Sequence, residues 1–321
     1  MKKNNIKNSI ILVTGGAGFI GSQLIESLLR LKPKKIYILD NLYRGKLSNI
    51  AQSLKNPRVV LHKGSITNGH KVDKLMSKAD YCFHMASMTI NSCLKYPKDA
   101  FNMMFRGTFN IAESATKYKI KKLIFSSSAS IYGLAQHFPT PETDHPYDNR
   151  TFYGVGKLFG EGMLRSYHYS YGLNYVALRY FNVYGPRMDT KGKYTTVFIN
   201  WLKNIKKNIQ PIVLGDGSIS MDLVFVSDVI KANIQAAVFD INDEVFNIGS
   251  GKETTLNELL RLMLVINNSK LKPKFLTAKL MNPVTRRKAD ITKAKKLLGW
   301  KPEVNLREGL KILSDWYFQK K

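Results

Sequence analysis

Tyr153 and Lys157 stand four residues apart in Thr151-Phe-Tyr-Gly-Val-Gly-Lys157, the spacing in this chain that most directly implies chemistry. On a helix, positions i and i+4 share one face, so an ammonium at Lys157 lies beside the phenol of Tyr153 and favours its ionised form. A free phenol titrates near ~10, too high for a base at neutral pH, and each unit of lowering takes roughly 1.4 kcal/mol of electrostatic help. The pair alone recurs by chance on solvated helix faces. What gives it weight is the upstream run Thr14-Gly-Gly-Ala-Gly-Phe-Ile-Gly21. Such a turn holds a dinucleotide, and lysine plus an oxidised nicotinamide supply the help the phenol needs.

The elements that must position these groups alternate short apolar runs with longer helical patterns, as β-α-β units do. Strands are predicted over 10–14, 35–39, 58–62, 81–84, 122–126 and 174–179, with helices over 20–31, 46–54, 71–77, 100–118 and 152–171. The expected fold is α/β, a doubly wound parallel sheet over 1–181. Beyond it a loop rich in Asn, Tyr, Gly, Pro and Asp runs from 182 to about 193. A helix, a strand near 211–214 and shorter mixed elements follow. We read 182–321 mainly as a smaller α/β substrate-binding cap over the strand ends, with some segments returning to the first domain; ligands of open α/β sheets bind at those ends.

Strand 10–14 runs into the glycine turn and then a helix, the context that makes a glycine run meaningful. Gly15, Gly18, Phe19 and Ile20 form the turn, where glycine lets the backbone approach a pyrophosphate at the positive helix end. The next strand ends in Leu39-Asp40-Asn41, about 20 residues beyond the turn, where a carboxylate accepts hydrogen bonds from the adenosine ribose. Asp40 also repels an added 2′-phosphate, so NAD is expected over NADP, with Arg44 nearby working against that preference.

Further motifs follow in order: His84-Met85-Ala86-Ser87, Ser126-Ser-Ser-Ala-Ser-Ile-Tyr-Gly133, Arg179-Tyr-Phe-Asn-Val-Tyr-Gly-Pro-Arg187, Gly215-Asp-Gly217, Asp228-Val229, and Ala289-Asp290 through Leu298-Gly-Trp300. With the turn and the Tyr/Lys pair, the chain resembles the extended short-chain dehydrogenase/reductase family over nearly its whole length. The likeness is to nucleotide-sugar 4-epimerases of the UDP-glucose 4-epimerase type.

The resemblance implies a Rossmann-type domain and a Ser128, Tyr153, Lys157 catalytic set. Ser128 would bond the sugar O4 and share the proton with Tyr153. Lys157 would also hold the nicotinamide ribose. Tyr153 would take the 4-hydroxyl proton as hydride leaves C4, and the 4-keto sugar would turn over before hydride returns to its other face. Asn41, Ser65, Ile66, Met85, Ala86, Ser87 and Ser126 join the implied cofactor contacts, although Ser126 and Ser127 read foremost as structural. Asn182 is the implied diphosphate contact, with Arg286 and Arg287 adding charge-assisted bonds. His84 reads as a packed, satisfied histidine. A UDP-sugar substrate and a homodimer, formed through the Tyr153 helix and the preceding long helix, are the implied partners.

Four positions depart from the usual pattern of that family. Ser65 stands where an aspartate meets adenine, Met104 replaces an asparagine, Met221 replaces an arginine that grips the diphosphate, and Gly156 replaces a serine or threonine. Related 4,6-dehydratases carry Asp-Glu at the positions of Ala129-Ser130, and decarboxylases a glutamate at that of Ser130. Their absence disfavours elimination. A 4-ketosugar reductase with exchangeable cofactor stays open, as does an NAD-binding sensor without turnover.

Bulk properties narrow the classes further. The formal charge is +27 over 321 residues, yet the lysines are scattered among asparagines and isoleucines. No basic helix with interleaved aromatics stands out, so no nucleic-acid partner is expected. Two cysteines, Cys82 and Cys93, have no metal-ligand spacing, and no metal is expected. No signal-peptide or membrane-span pattern occurs, which leads to a cytoplasmic expectation.

Overall fold

The computed structural model describes residues 5–145, 148–190, 196–277 and 284–319; the end of the loop expected to reach 193 lies outside them. In the first half, strands β1 (Ile10–Thr14), β2 (Lys35–Asp40), β3 (Val59–Lys63), β4 (Tyr81–His84), β5 (Lys122–Ser128) and β6 (Tyr175–Tyr180) alternate with helices. These are α1 (Phe19–Arg30), α2 (Leu47–Leu54), α3 (Gly69–Met76), α4 (Ile90–Lys95), α5 (Pro97–Phe101), α6 (Gly107–Lys117) and α7 (Phe152–Tyr171). The second half holds β7 (Asn182–Tyr184), α8 (Val197–Lys206), β8 (Ile212–Leu214), β9 (Ser220–Met221), β10 (Leu223–Phe225) and α9 (Val226–Val238). It continues through β11 (Glu244–Ile248), β12 (Thr254–Thr255), α10 (Leu256–Ile266), β13 (Lys274–Leu276), α11 (Thr292–Leu297) and α12 (Leu306–Gln319).

Seven parallel strands form the central sheet in the order β11-β6-β5-β4-β1-β2-β3. β1, Ile-Ile-Leu-Val-Thr, is apolar and almost wholly buried, as a parallel strand covered on both faces must be. Ile11 pairs with Ile36 of β2 on one side and Tyr81 of β4 on the other. The strand order reverses between those neighbours, which opens a crevice at the carboxyl ends of the strands. Thr14, Asp40, His84, Ser128 and Tyr180 are the last residues of their strands, so polar side chains converge on that edge.

The expected doubly wound sheet is present, with two differences in detail. β11 is a seventh strand that the sequence left among mixed elements; it pairs with β6 and returns to the main sheet. The helix predicted over 100–118 is three pieces: α5, a π-helical turn over Asn102–Arg106, and α6. A π turn inserts one extra residue and redirects the side chains it carries. No helix among the described residues is long and apolar enough to cross a membrane.

Candidate active site

A cleft of about 1100 Å³ opens at the strand ends. Gly15, Gly18, Phe19, Ile20, Asp40, Asn41, Ser65, Ile66, Met85, Ala86, Ser87 and Ser126 all line it, together with Ser128, Tyr153 and Lys157. Gly15 has φ +68°, and a Cβ there would fall 2.8 Å from the Ala86 backbone. α1 starts after Gly18 without a side-chain cap, leaving the positive helix end to the cleft. Asp40 accepts from Ala17 N at 2.9 Å and from Leu42 N at 2.8 Å. It thus both initiates a turn and braces the glycine run, and a carboxylate retains lone pairs for ribose hydroxyls. An uncapped helix N-terminus, a turn that excludes side chains and a carboxylate at the next strand end together fit a dinucleotide.

Ser128 ends β5, and its Oγ accepts from Ser130 N at 3.1 Å. Thr151 caps α7 by accepting from Gly154 N at 3.0 Å, which fixes the first turn that carries Tyr153. One turn on, buried Lys157 donates from Nζ to Ser126 O at 2.6 Å and lies 5.7 Å from the Tyr153 ring centroid. Desolvation lowers Lys157 to about 8. It also raises the Tyr153 phenol above its usual range, with the Ser128 and Ser87 hydroxyls working in the opposite direction. The lowered phenol expected from the Tyr/Lys spacing is therefore not what the chain alone produces. Burial prevails over the neighbouring groups, a balance that helical spacing does not reveal.

Behind these groups the polar atoms are paired. Ser126 Oγ lies 3.1 Å from Tyr180 Oη. Ser127 donates to Glu161, which Arg179 grips in turn. His84 lies between Thr14 Oγ1 at 2.9 Å and Thr108 Oγ1 at 3.2 Å. Burial followed by the charge of Lys157 depresses it to about 3. It is a packed, neutral histidine.

The substrate side is placed differently. Asn182 packs its amide against Asp222 O at 3.2 Å. Arg286 makes a bidentate pair with Glu253 at 2.8 and 3.0 Å and lies 4.4 Å over the Phe138 ring. Arg287 donates to Ala129 O at 2.7 Å, and desolvation lowers it to about 10. None of the three is among the residues lining the cleft, and neither is Met221. Residues the sequence did not single out do line it: Tyr96, Asp99, Met188, Asp189 and Leu214. Lys46 and Asp189 form an ion pair at 2.9 Å, Arg187 and Glu26 another at 2.6 Å, and Gln23 donates to Pro186 O at 2.9 Å. The loop after β7 is thereby fastened to α1 and to the segment entering α2. The polar composition of 182–193 marked a loop without indicating what it ties together.

Residues 11–249 match the family model described as the NAD dependent epimerase/dehydratase family. The chain belongs to this family, an extended short-chain dehydrogenase/reductase enzyme whose cofactor is NAD. It is similar to a UDP-glucose 4-epimerase from Thermotoga maritima, solved with UDP-glucose, at 34% identity and TM-score 0.89 over 97% of this chain and 99% of that one. A UDP-N-acetylglucosamine 4-epimerase from Methanobrevibacter ruminantium M1, solved with UDP-N-acetylmuramic acid, matches at 31% identity and TM-score 0.90 over 98% and 100%. A UDP-N-acetyl-alpha-D-glucosaminuronate decarboxylase from Bacillus cytotoxicus is 30% identical over 316 residues, 95% of this chain and 97% of that protein.

Proposed function

We propose that this enzyme is an NAD-dependent nucleotide-sugar 4-epimerase acting on a UDP-hexose or UDP-N-acetylhexosamine, with Ser128, Tyr153 and Lys157 as its catalytic set. The observation that carries this reading is the composition of the strand end beside Tyr153. Ser128 is followed by Ala129 and Ser130, so neither carboxylate needed for elimination or decarboxylation stands there. Among the described residues lining the cleft, the carboxylates are Asp40, Asp99 and Asp189, on other segments.

Bound in this cleft, NAD would supply a hydride acceptor and donor for the sugar C4 and, when oxidised, a positive charge favouring the Tyr153 phenolate. Tyr153 removes the 4-hydroxyl proton and returns it, Ser128 orients O4, and Lys157 holds the cofactor ribose and stabilises the phenolate. Because epimerisation regenerates its cofactor each turnover, retention is an advantage. The Lys46–Asp189 and Arg187–Glu26 pairs, which fasten the loop after β7 to α1 and to the segment entering α2, favour it. Residues 1–181 form the NAD domain and 182–321 mainly the nucleotide-sugar cap in this reading.

A homodimer completes the proposal. Phe101, Phe152, Val155 and Phe159 are exposed on α5 and α7, and Phe105 stacks between them at 5.3 Å from Phe101 and 4.9 Å from Phe159. A second copy would cover that apolar face.

The test is incubation with UDP-, dTDP- and GDP-sugars without added cofactor, followed by NMR of the products. Inversion at C4 is the expected result. Turnover that demands stoichiometric NAD(P)H would overturn the epimerase in favour of a ketosugar reductase. Tyr153→Phe is expected to abolish inversion while NAD stays bound, and unchanged activity would refute the mechanism.

A further inference from the structure

We propose that residues 186–189, in the loop after β7, form a strap that must lift for NAD to enter or leave. The Lys46–Asp189 and Arg187–Glu26 pairs are the catch that sets the exchange rate. The proposal rests on the dinucleotide cradle and not on the sugar chemistry.

The strap is fixed to the elements that build the cradle. Gln23 on α1 donates at 2.9 Å to Pro186 O and at 3.2 Å to Phe19 O. Arg187 pairs with Glu26 at 2.6 Å, and its Nη1 donates to Ser22 Oγ at 3.4 Å. Asp189 pairs at 2.9 Å with Lys46, whose own backbone N–H donates at 3.0 Å to Ala17 O inside the glycine turn. Arg187, Met188 and Asp189 line the cleft, as do Gly18, Phe19 and Lys46. A dinucleotide whose pyrophosphate sits at the start of α1 and whose ribose meets Asp40 passes beside this group.

The strap is built to open. Arg187 has φ +68°, a left-handed conformation that a residue with a Cβ keeps only where its surroundings hold it. Its bonds to Glu26 and Ser22 supply that hold. The four side chains of the two ion pairs are 26–36% exposed, so each pair contributes modestly and is screened by salt. Between them Met188 is 5% exposed and packs into the main core. Lifting the strap therefore withdraws one apolar side chain, breaks two weak pairs and releases a strained backbone angle. Closed is the resting state, and opening is within reach of thermal fluctuation.

The test mixes the NAD-loaded full chain with excess isotope-labelled NAD and follows exchange by mass spectrometry of the dinucleotide that stays with the protein after desalting. Asp189→Asn and Glu26→Gln are each expected to speed exchange about twofold to fivefold at low salt, and together by roughly the product. Raising NaCl from about 0.05 M to about 0.5 M should bring wild type toward the double variant, whose own rate changes less. Both substitutions leave a cation free to face the pyrophosphate. If Lys46 and Arg187 acted only as phosphate contacts, exchange would slow instead, so the sign separates the two roles. Lys46→Glu places two carboxylates together and should exchange faster than Asp189→Asn, and adding Asp189→Lys should bring the rate back toward wild type. Exchange that slows or does not move in Asp189→Asn and Glu26→Gln, or a charge swap no slower than Lys46→Glu alone, would overturn the proposal. The readout needs no sugar substrate, so it decides the role of the strap even if the epimerase reading fails.

Discussion

The buried pair Glu161–Arg179 offers the sharpest test of how the end of β5 is held. The two side chains are 7% and 10% exposed. Arg179 Nε donates to both carboxylate oxygens at 3.0 and 3.2 Å, and Nη2 to Oε2 at 2.7 Å. Its Nη1 donates at 2.8 Å to Tyr132 Oη and to Glu142 O. Ser127 donates to the same carboxylate, directly between Ser126, which accepts from Lys157, and Ser128. Arg179→Met removes the buried counter-charge and three hydrogen bonds of the Glu161 carboxylate, a change that costs about 3–5 kcal/mol. Against a total stability of about 5–15 kcal/mol, that is a large share. Glu161→Gln with Arg179→Met removes both charges, and the loss should fall to about 1–2 kcal/mol because little remains unpaired except hydrogen bonds. Urea unfolding of the four proteins at pH 7 gives the double-mutant cycle directly. Single variants costing less than about 1 kcal/mol, or losses that add in the double variant, would refute the reasoning.

Two further perturbations probe other parts of the chain. Gly15→Ala combines a left-handed backbone angle with a Cβ 2.8 Å from Ala86; NAD remaining after desalting should drop at least about tenfold, and full retention would show that this turn is not the cofactor cradle. Lys122 is buried with Nζ 2.6 Å from Phe239 O, and desolvation lowers it from 10.5 to about 8. Below pH 8 both folded and unfolded states hold the proton, so the cost of the buried ammonium is fully present. As pH rises toward 10.5 the folded state releases it first, and this contribution to stability improves. The stability deficit of wild type relative to Lys122→Met should shrink over that window by at most about 3 kcal/mol, as measured by urea unfolding at pH 7 and 10. A constant difference would refute it.

The cofactor half was legible because its signals are local. β1, the glycine turn and α1 are contiguous, and Asp40 follows at the next strand end, so a few residues fix the geometry without knowledge of the rest. α7 was legible for the same reason: Thr151 caps it and Gly172, at φ +71°, ends it. The substrate side depends instead on partners far away in the chain. Arg286 is occupied by Glu253 and Phe138, and Arg287 reaches Ala129, contacts that no spacing around 286–287 encodes. Charge alone marked both as anion ligands, whereas their neighbours decide what each is free to do.

Tyr153 shows the same limit at the level of energy. The four-residue spacing brings Lys157 to its ring, as expected, yet the direction of the phenol shift is set by burial. Desolvation also brings the lysine that was to offset it down to about 8, so its charge is lost earlier as pH rises. In the mechanism proposed above, a phenol held this way would be poorly prepared as a base until the cofactor arrived, and proton removal would be coupled to an oxidant already in place. The expected consequence is that the Tyr153 titration moves down when NAD binds and back up on reduction. Equal titration in the two redox states would place the decisive charge on the protein rather than on the cofactor.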